Sequence, residues 1–344
     1  MNNHVDVDSI KIGVVGAGSW GTALANLLGS KGFKIDLWAF EKDVRDQIQT
    51  HRENSVFLPG FSLSPHISAF NDLTRVVSGK DLILIVIPSH VMRKVACGLV
   101  GNVLKEAIIV SASKGIENTT HLTMSGVLKE VLADVPEGQF AVLSGPSFAR
   151  EVASKVPTVV TVASQDSKVA TFVQHIFANP FFRVYTSDDI IGVELGGAVK
   201  NVIAIAAGII DGLGLGLNTR AALITRGLTE ITRLGLKLGA SSYTFTGLAG
   251  VGDLILTCTG NLSRNYHVGK KIGEGMKLKE ILAESRMVAE GVKTARSVYN
   301  LSRRLNVEMP ISHEVYRILY EDLLPKEALY NLMTRDLKQE FDGH

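Results

Sequence analysis

Residues 10–25 read as an apolar strand that turns through Gly16-Ala17-Gly18-Ser19-Trp20-Gly21 directly into a helix. This order of strand, G-x-G-x-x-G and helix constrains the fold most, because it is the opening turn of a dinucleotide-binding βαβ unit. Gly16 permits the tight turn, Gly18 lets the backbone approach a pyrophosphate, and Gly21 lets the helix pack on the strand. The unpaired N–H groups at the helix start, at the positive end of its dipole, then face the phosphates. Glycine-rich turns alone are common in loops that bind nothing; the strand before and the helix after carry the expectation.

With 344 residues the chain exceeds the size at which one core keeps growing, so two domains are expected, and a 46% hydrophobic content can fill both. The 36 basic and 34 acidic residues are interspersed and leave a net charge of +2. Such a balance argues against nucleic acid or a membrane surface as the main partner. Cys97 and Cys258 match no metal or redox spacing and read as reduced thiols of a cytoplasmic protein. The nine histidines form no metal-ligand motif, and no G-x-S-x-G nucleophile turn occurs. Residues 1–8 carry acids and lack the cationic start and apolar core of a secretory signal. The apolar run 201–217 contains Asp211 and several glycines, which suits a buried helix better than a membrane span.

After the opening strand and helix, residues 34–40 form a second strand, followed by a polar, helix-like stretch at 41–50. Near-continuous apolar runs at 82–87, 107–110 and 140–143 suit parallel strands covered on both faces. The expected fold is therefore α/β, a Rossmann-like doubly wound sheet. Three of these strands end at Pro88-Ser89-His90, Ser111-Ala112-Ser113-Lys114-Gly115 and Ser144-Gly145-Pro146-Ser147, so their carboxyl ends converge on one crevice. Beyond about residue 189 the periodicity becomes helical, with a long apolar helix over 190–217 and an amphipathic one over 219–238. The chain thus divides into a dinucleotide-binding domain at 1–189 and a mostly α-helical catalytic domain at 190–344. Residues 244–260, rich in Gly and Thr, read as a loop anchored by Leu248, Val251, Leu254 and Ile255.

Lys200 lies on the apolar helix among Gly196, Gly197 and Ala198. Two readings fit it. Burial lowers a lysine's pKa and makes it a proton donor or acceptor; alternatively its stem packs on the helix while the ammonium reaches solvent. Asn201 beside it orients a substrate or bonds to backbone. Asp253 sits among glycines, and Ser263-Arg264-Asn265 offers hydrogen-bond donors, the planar guanidinium being suited to phosphate. Helix capping by Ser263 and Asn265 and a surface ion pair between Asp253 and Arg264 are the plainer alternatives. Lys114, at a strand end inside the crevice, is placed to polarise a carbonyl or hold an anion.

Taken together these segments resemble the NAD(P)-dependent glycerol-3-phosphate dehydrogenases of the bacterial type. The resemblance runs along nearly the whole chain, through Gly16-Ala17-Gly18-Ser19-Trp20-Gly21, Phe57-Leu58-Pro59-Gly60, Ser113-Lys114-Gly115-Ile116-Glu117 and Leu143-Ser144-Gly145-Pro146-Ser147-Phe148-Ala149. Val199-Lys200-Asn201-Val202, Gly247-Leu248-Ala249-Gly250-Val251-Gly252-Asp253-Leu254, Ser263-Arg264-Asn265 and Ala289-Glu290-Gly291 complete it in the family's order. It implies reduction of dihydroxyacetone phosphate to sn-glycerol 3-phosphate, a precursor of glycerophospholipids, with NAD or NADP as cofactor. By the same resemblance Lys200 is the proton donor and acceptor, with Lys114 and Asp253 completing the catalytic group. Gly145, Ser147, Ser263, Arg264 and Asn265 hold the substrate beside Lys114, Lys200, Asn201 and Asp253. Ser19, Trp20, Lys114, Ala149, Arg264, Val288 and Glu290 line the cofactor.

At the end of the second strand, many relatives place an arginine or histidine that meets the 2′-phosphate of NADP. Here Phe40 is suited to stacking on adenine, and Glu41, about 20 residues past Gly21, to accepting a bond from a free ribose 2′-OH. That favours NAD, while Lys42 and Arg45 leave NADP open. Two other readings compete: a β-hydroxyacid dehydrogenase of the same two-domain plan, and a catalytically idle dinucleotide-sensing protein. Apolar and small-residue faces on the second domain suit a homodimer.

Overall fold

The computed structural model describes residues 7–283 and 288–340. Eight strands, β1 (Ile12–Val15), β2 (Ile35–Trp38), β3 (Ile67–Phe70), β4 (Leu82–Ile85), β5 (Ile108–Ser111), β6 (Phe140–Ser144), β7 (Thr158–Ser164) and β8 (Phe182–Ser187), form one sheet in the order β3-β2-β1-β4-β5-β6-β7-β8. All neighbours are parallel except β6 and β7, which run antiparallel. Side chains of β4 alternate between two apolar clusters: Leu82 and Leu84 join one, Ile83 and Ile85 the other. A strand covered on both faces has no polar side, which is why its sequence is a continuous apolar run.

Strand order reverses between β1 and β4, so the crevice at their carboxyl ends is the switch point where open α/β sheets take ligands. β1 leads through Gly16 into the helix Ser19–Ser30, and β4 leads to Pro88-Ser89. β3, β7 and β8 lie outside the apolar runs read from the sequence. β2, β3 and β8 alternate buried with partly open positions, a weaker signal than the continuous runs of β1 and β4.

After β8 no strand follows among the described residues. The helix Ile190–Gly212, hereafter the long helix, starts at Asp189, whose carboxylate accepts the Gly192 N–H at 2.8 Å. It is long and apolar enough to cross a membrane, yet 94% of its apolar window is buried within the protein. Backbone meets backbone where it crosses the helix Arg264–Gly273: a Cβ at Gly208 would strike the Tyr266 carbonyl, and one at Gly269 the Ile205 carbonyl. That crossing sets Arg264 and Asn265 beside Asn201.

Residues 244–260 are not a loop. They fold as the end of the short helix Ser242–Phe245, a kinked turn at Leu248–Gly252 in which Gly250 leaves helical geometry (φ −98°, ψ −105°), and the helix Asp253–Thr259. The glycines that suggested a loop serve close packing instead: a Cβ at Gly250 would collide with Phe245 backbone, and one at Gly196 with the Ala249 carbonyl. Leu254 is buried, whereas Ile255 faces solvent and anchors nothing.

Candidate active site

The glycine turn has the geometry its sequence requires. Gly16 has φ +119°, a conformation a side chain rarely adopts. A Cβ at Gly21 would strike the Gly16 carbonyl, so only glycine lets the helix sit this close to the strand. Around Gly18 a Cβ would meet nothing within 4 Å, leaving open space in front of the helix N-terminus. Asn54 Nδ2 donates to the Ala17 carbonyl and to Thr22 Oγ1, both at 2.8 Å, and locks the turn. Ser19 Oγ donates to the Phe57 carbonyl at 2.6 Å, tying the first helical turn to the Phe57-Leu58-Pro59-Gly60 segment, and Trp20 is partly buried against the core. These residues fit a dinucleotide, whose pyrophosphate the N–H groups at this helix start would hold.

Phe40 and Glu41 follow β2. The Phe40 ring is 74% exposed and stands edge-on to Trp38 at 6.0 Å. Glu41 precedes the helix Lys42–His51 without bonding to its N–H groups, so its carboxylate is not used as a cap. Arg45 pairs with Asp46 at 2.7 Å.

Lys200, on the long helix, is 5% exposed, and Asp253 is 1% exposed. The ammonium of Lys200 donates to Asp253 Oδ1 and, at 2.7 Å, to Thr257 Oγ1. Lys114 Nζ reaches the other oxygen, Asp253 Oδ2, at 2.7 Å, and lies 3.5 Å from the Gly145 carbonyl. One buried carboxylate thus holds two lysines, one from a β-strand end and one from the long helix. Burial lowers the pKa of Lys200 to about 7; Asp253 pulls it up, and Lys114 pushes it further down. A lysine that titrates near neutrality gives and takes a proton readily. The alternative of an ammonium reaching solvent does not apply to Lys200.

Contacts run outward from this trio in both directions. Ser147 Oγ donates to the Gly145 carbonyl at 3.0 Å, and Ala149 begins the next helix. On the other side Asn265 Nδ2 donates to Asn201 Oδ1 at 2.9 Å, while Asn265 Oδ1 accepts the Gly291 N–H at 2.9 Å. Glu290, beside half-buried Val288, accepts the Ser89 N–H at 3.1 Å and the Ser89 hydroxyl at 2.5 Å. Ser263 Oγ accepts the Tyr266 N–H at 3.2 Å and caps the helix that carries Arg264. Arg264 makes no ion pair with Asp253, whose two oxygens belong to the lysines. Its guanidinium stays open to solvent, yet enough protein surrounds it for desolvation to lower its pKa, with Glu290 opposing. A cation in that setting, at the mouth of the crevice, suits a phosphate.

Thr257 and Glu194 escaped the sequence reading, and Ser89, placed there at a strand end in the crevice, was given no partner. Thr257 holds Lys200, Ser89 holds Glu290, and buried Glu194 on the long helix binds Ser125. Thr257 stands one helical turn beyond Asp253, a spacing visible only once that segment is read as helix.

Two family models match the chain, the NAD-dependent glycerol-3-phosphate dehydrogenase N-terminus over residues 11–170 and its C-terminus over residues 189–330. A glycerol-3-phosphate dehydrogenase, NAD(P)+, of Syntrophobacter fumaroxidans is 57% identical over 334 residues, covering 97% of this chain and 98% of that protein. One of Geobacter sulfurreducens is 57% identical over 332 residues, covering 96% and 99%. The crystal structure of glycerol-3-phosphate dehydrogenase from Coxiella burnetii superposes with a TM-score of 0.91 at 43% identity, covering 95% of this chain and 99% of that one. Both halves of the chain match one family: the chain belongs to the NAD-dependent glycerol-3-phosphate dehydrogenases.

Proposed function

We propose that this enzyme reduces dihydroxyacetone phosphate to sn-glycerol 3-phosphate with Lys200 as the proton donor, and runs the reverse reaction with the same residue as acceptor. The observation that carries this reading is the pair of lysines held on the two oxygens of Asp253, with Lys200 buried and its pKa near 7. A nicotinamide held in the crevice would supply or take the hydride at C2. Lys200 Nζ gives its proton to the oxygen that becomes the 2-hydroxyl and is left neutral. Lys114 faces the same oxygen and stabilises the negative charge that develops there. Asp253 holds both ammonium groups in place. Arg264, Asn265 and Ser263, with Gly145 and Ser147 across the crevice, bind the remote phosphate and so fix the reacting carbon. Asn201 keeps Asn265 in position through its hydrogen bond. Gly16, Gly18, Ser19, Trp20 and Gly21, with Ala149, Val288 and Glu290, line the dinucleotide.

The sign of the pH dependence follows from the two directions. Reduction needs protonated Lys200, so kcat for reduction falls as pH rises through about 7; oxidation needs the neutral amine and rises over the same window. Stopped-flow rates of the chemical step from pH 5.5 to 9 check both limbs. Parallel slopes in the two directions would remove Lys200 as the proton carrier.

Glu41 favours NAD. Its carboxylate is free of the helix cap and suits a ribose 2′-OH, while Arg45, four residues on, pairs with Asp46. NADH oxidation with dihydroxyacetone phosphate is expected to exceed NADPH oxidation in kcat/KM by about tenfold or more, because a 2′-phosphate would meet a like charge. Equal or better use of NADPH overturns the role given to Glu41.

The same reading divides the chain at residue 189 into cofactor and catalytic parts. It describes a cytoplasmic homodimer with no stable membrane association, feeding glycerophospholipid synthesis. The end of β8 at Ser187 and the start of the long helix at Ile190 support that division. Mass in solution by light scattering tests the dimer.

A further inference from the structure

Lys114 and Lys200 approach Asp253 from different parts of the fold, so their separation depends on how the long helix docks on the sheet side of the molecule. Lys114 lies on the segment between β5 and the helix Met124–Val131. That segment is tied at its start by Ser113 Oγ, which accepts the Ile87 N–H at 3.0 Å. Midway, Ser297 Oγ donates to the Ile116 carbonyl at 2.8 Å. Its far end meets the long helix through Glu194, about one and two-thirds turns before Lys200. Glu194 Oε1 accepts the Ser125 N–H at 2.8 Å and Oε2 the Ser125 hydroxyl at 2.5 Å.

Glu194 is 5% exposed and, among the described residues, forms no ion pair. Burial raises its pKa, opposed by its bonds to Ser125 and Thr123. A buried carboxylate with this cost persists where the surrounding structure needs its geometry. The same arrangement, a glutamate gripping both the N–H and the hydroxyl of one serine, recurs twice. Glu290 holds Ser89 beside the crevice, and Glu230 holds Ser312 within the helical half. The Glu194 and Glu290 clamps both bridge the helical half and the sheet.

We propose that Glu194 is a positioning residue: by clamping Ser125 it fixes the long helix, and Lys200 on it, relative to Lys114. Glu194 touches neither substrate nor cofactor and acts through the distance between the two lysines. The inference rests on Lys200 and Lys114 as the reacting pair. Four groups face Lys200: Asp253, Thr257 and Cys258 from the helix Asp253–Thr259, and Lys114 from the strand end. Moving Lys114 away removes a repelling charge and leaves Asp253 to Lys200 alone, and both changes raise the pKa of Lys200.

Full-length Glu194→Ala and Glu194→Gln are compared with the wild type in dihydroxyacetone phosphate reduction, with NADH affinity and thermal melting measured alongside. Glu194→Ala is expected to lower kcat by about 10- to 100-fold with NADH affinity nearly unchanged, the effect of a misplacement near 1 Å. The pH midpoint of its kcat profile moves upward. Glu194→Gln restores most of both, because the carboxamide oxygen accepts the Ser125 N–H and its NH2 donates to the Ser125 hydroxyl. A folded Glu194→Ala with wild-type kcat overturns the proposal, and so does a lowered kcat with an unmoved pH profile. Should Glu194→Ala fail to fold, Ser125→Ala decides, since it deletes one of the two bonds. It is expected to lower kcat by about threefold to tenfold with the same upward midpoint shift, and wild-type behaviour overturns the inference. Lys200→Ala, run beside these, separates the two levels. Retained turnover there overturns the reading of Lys200 itself and the inference with it. Lost turnover there with an unaffected Glu194→Ala overturns the inference alone.

Discussion

Lys200→Ala lowers kcat for dihydroxyacetone phosphate reduction by about 10²- to 10⁴-fold, the range that a positioned general acid contributes. Affinity for NADH changes little, because the proposed partner of Lys200 is the substrate oxygen and not the cofactor. The reason for so large an effect is geometric. The Lys200 ammonium is fixed by Asp253 and by Thr257 at 2.7 Å, inside a site where little water reaches it. No neighbouring group takes over: Lys114 is held on the opposite oxygen of Asp253 at 2.7 Å, and the Cys258 thiol is pushed up to about 12 by burial. Single-turnover kinetics with NADH bound in excess isolate the chemical step. A rate within tenfold of wild type would show that the proton comes from elsewhere. Melting curves guard against a trivial loss, since the substitution leaves the buried Asp253 with one ammonium instead of two.

Arg264→Ala raises KM for dihydroxyacetone phosphate by about 10- to 100-fold, the loss expected on removing charge-assisted hydrogen bonds to a phosphate. It also lowers kcat, because binding energy from the remote phosphate holds the carbonyl carbon in place. Arg264→Lys recovers only part, since an ammonium does not match two phosphate oxygens at once. Dihydroxyacetone, the same ketone without the phosphate, serves as the control: its reduction should be nearly insensitive to Arg264→Ala. Equal losses with both substrates would assign Arg264 to the fold or the cofactor rather than to the phosphate. The guanidinium is well placed for the role, because it is open to solvent at the crevice mouth and paired with neither Asp253 nor any other carboxylate in an ion pair among the described residues.

Much of the sheet was legible in the sequence because its signals are local. β1, β4, β5 and β6 are short apolar runs, and their carboxyl ends lie side by side as the strand order places them. The helical half announced itself through a change of period after residue 189. β7 and β8 passed unread: β7 is the strand that turns antiparallel, and β8 alternates buried Phe182 and Val184 with exposed Arg183 and Tyr185. The segment 244–260 misled for a physical reason. Glycine lowers helix propensity, but Gly250 is required where the chain kinks back onto the Phe245 backbone, and Gly196 on the facing helix where the Ala249 carbonyl comes close. Read as a loop, the segment hid the helical spacing of Asp253 and Thr257, and so hid half of what holds Lys200.

The sequence by itself determined the cofactor turn, because a strand, three glycines and a helix are consecutive and their geometry is fixed by short-range sterics. It also determined the order of the motifs, and through them the family resemblance. Tertiary structure alone decided what those motifs do together. Lys114 and Asp253 are 139 positions apart, and Lys200 and Asp253 are 53 apart, yet they form one buried ion-paired trio. No local pattern encodes that meeting. The pKa of Lys200 is set by desolvation from every element packed around it and by two charges brought from elsewhere in the chain. The Asp253–Arg264 pair that sequence proximity suggested does not exist, because packing on the long helix turns the Asp253 carboxylate toward the lysines and leaves Arg264 open to the crevice.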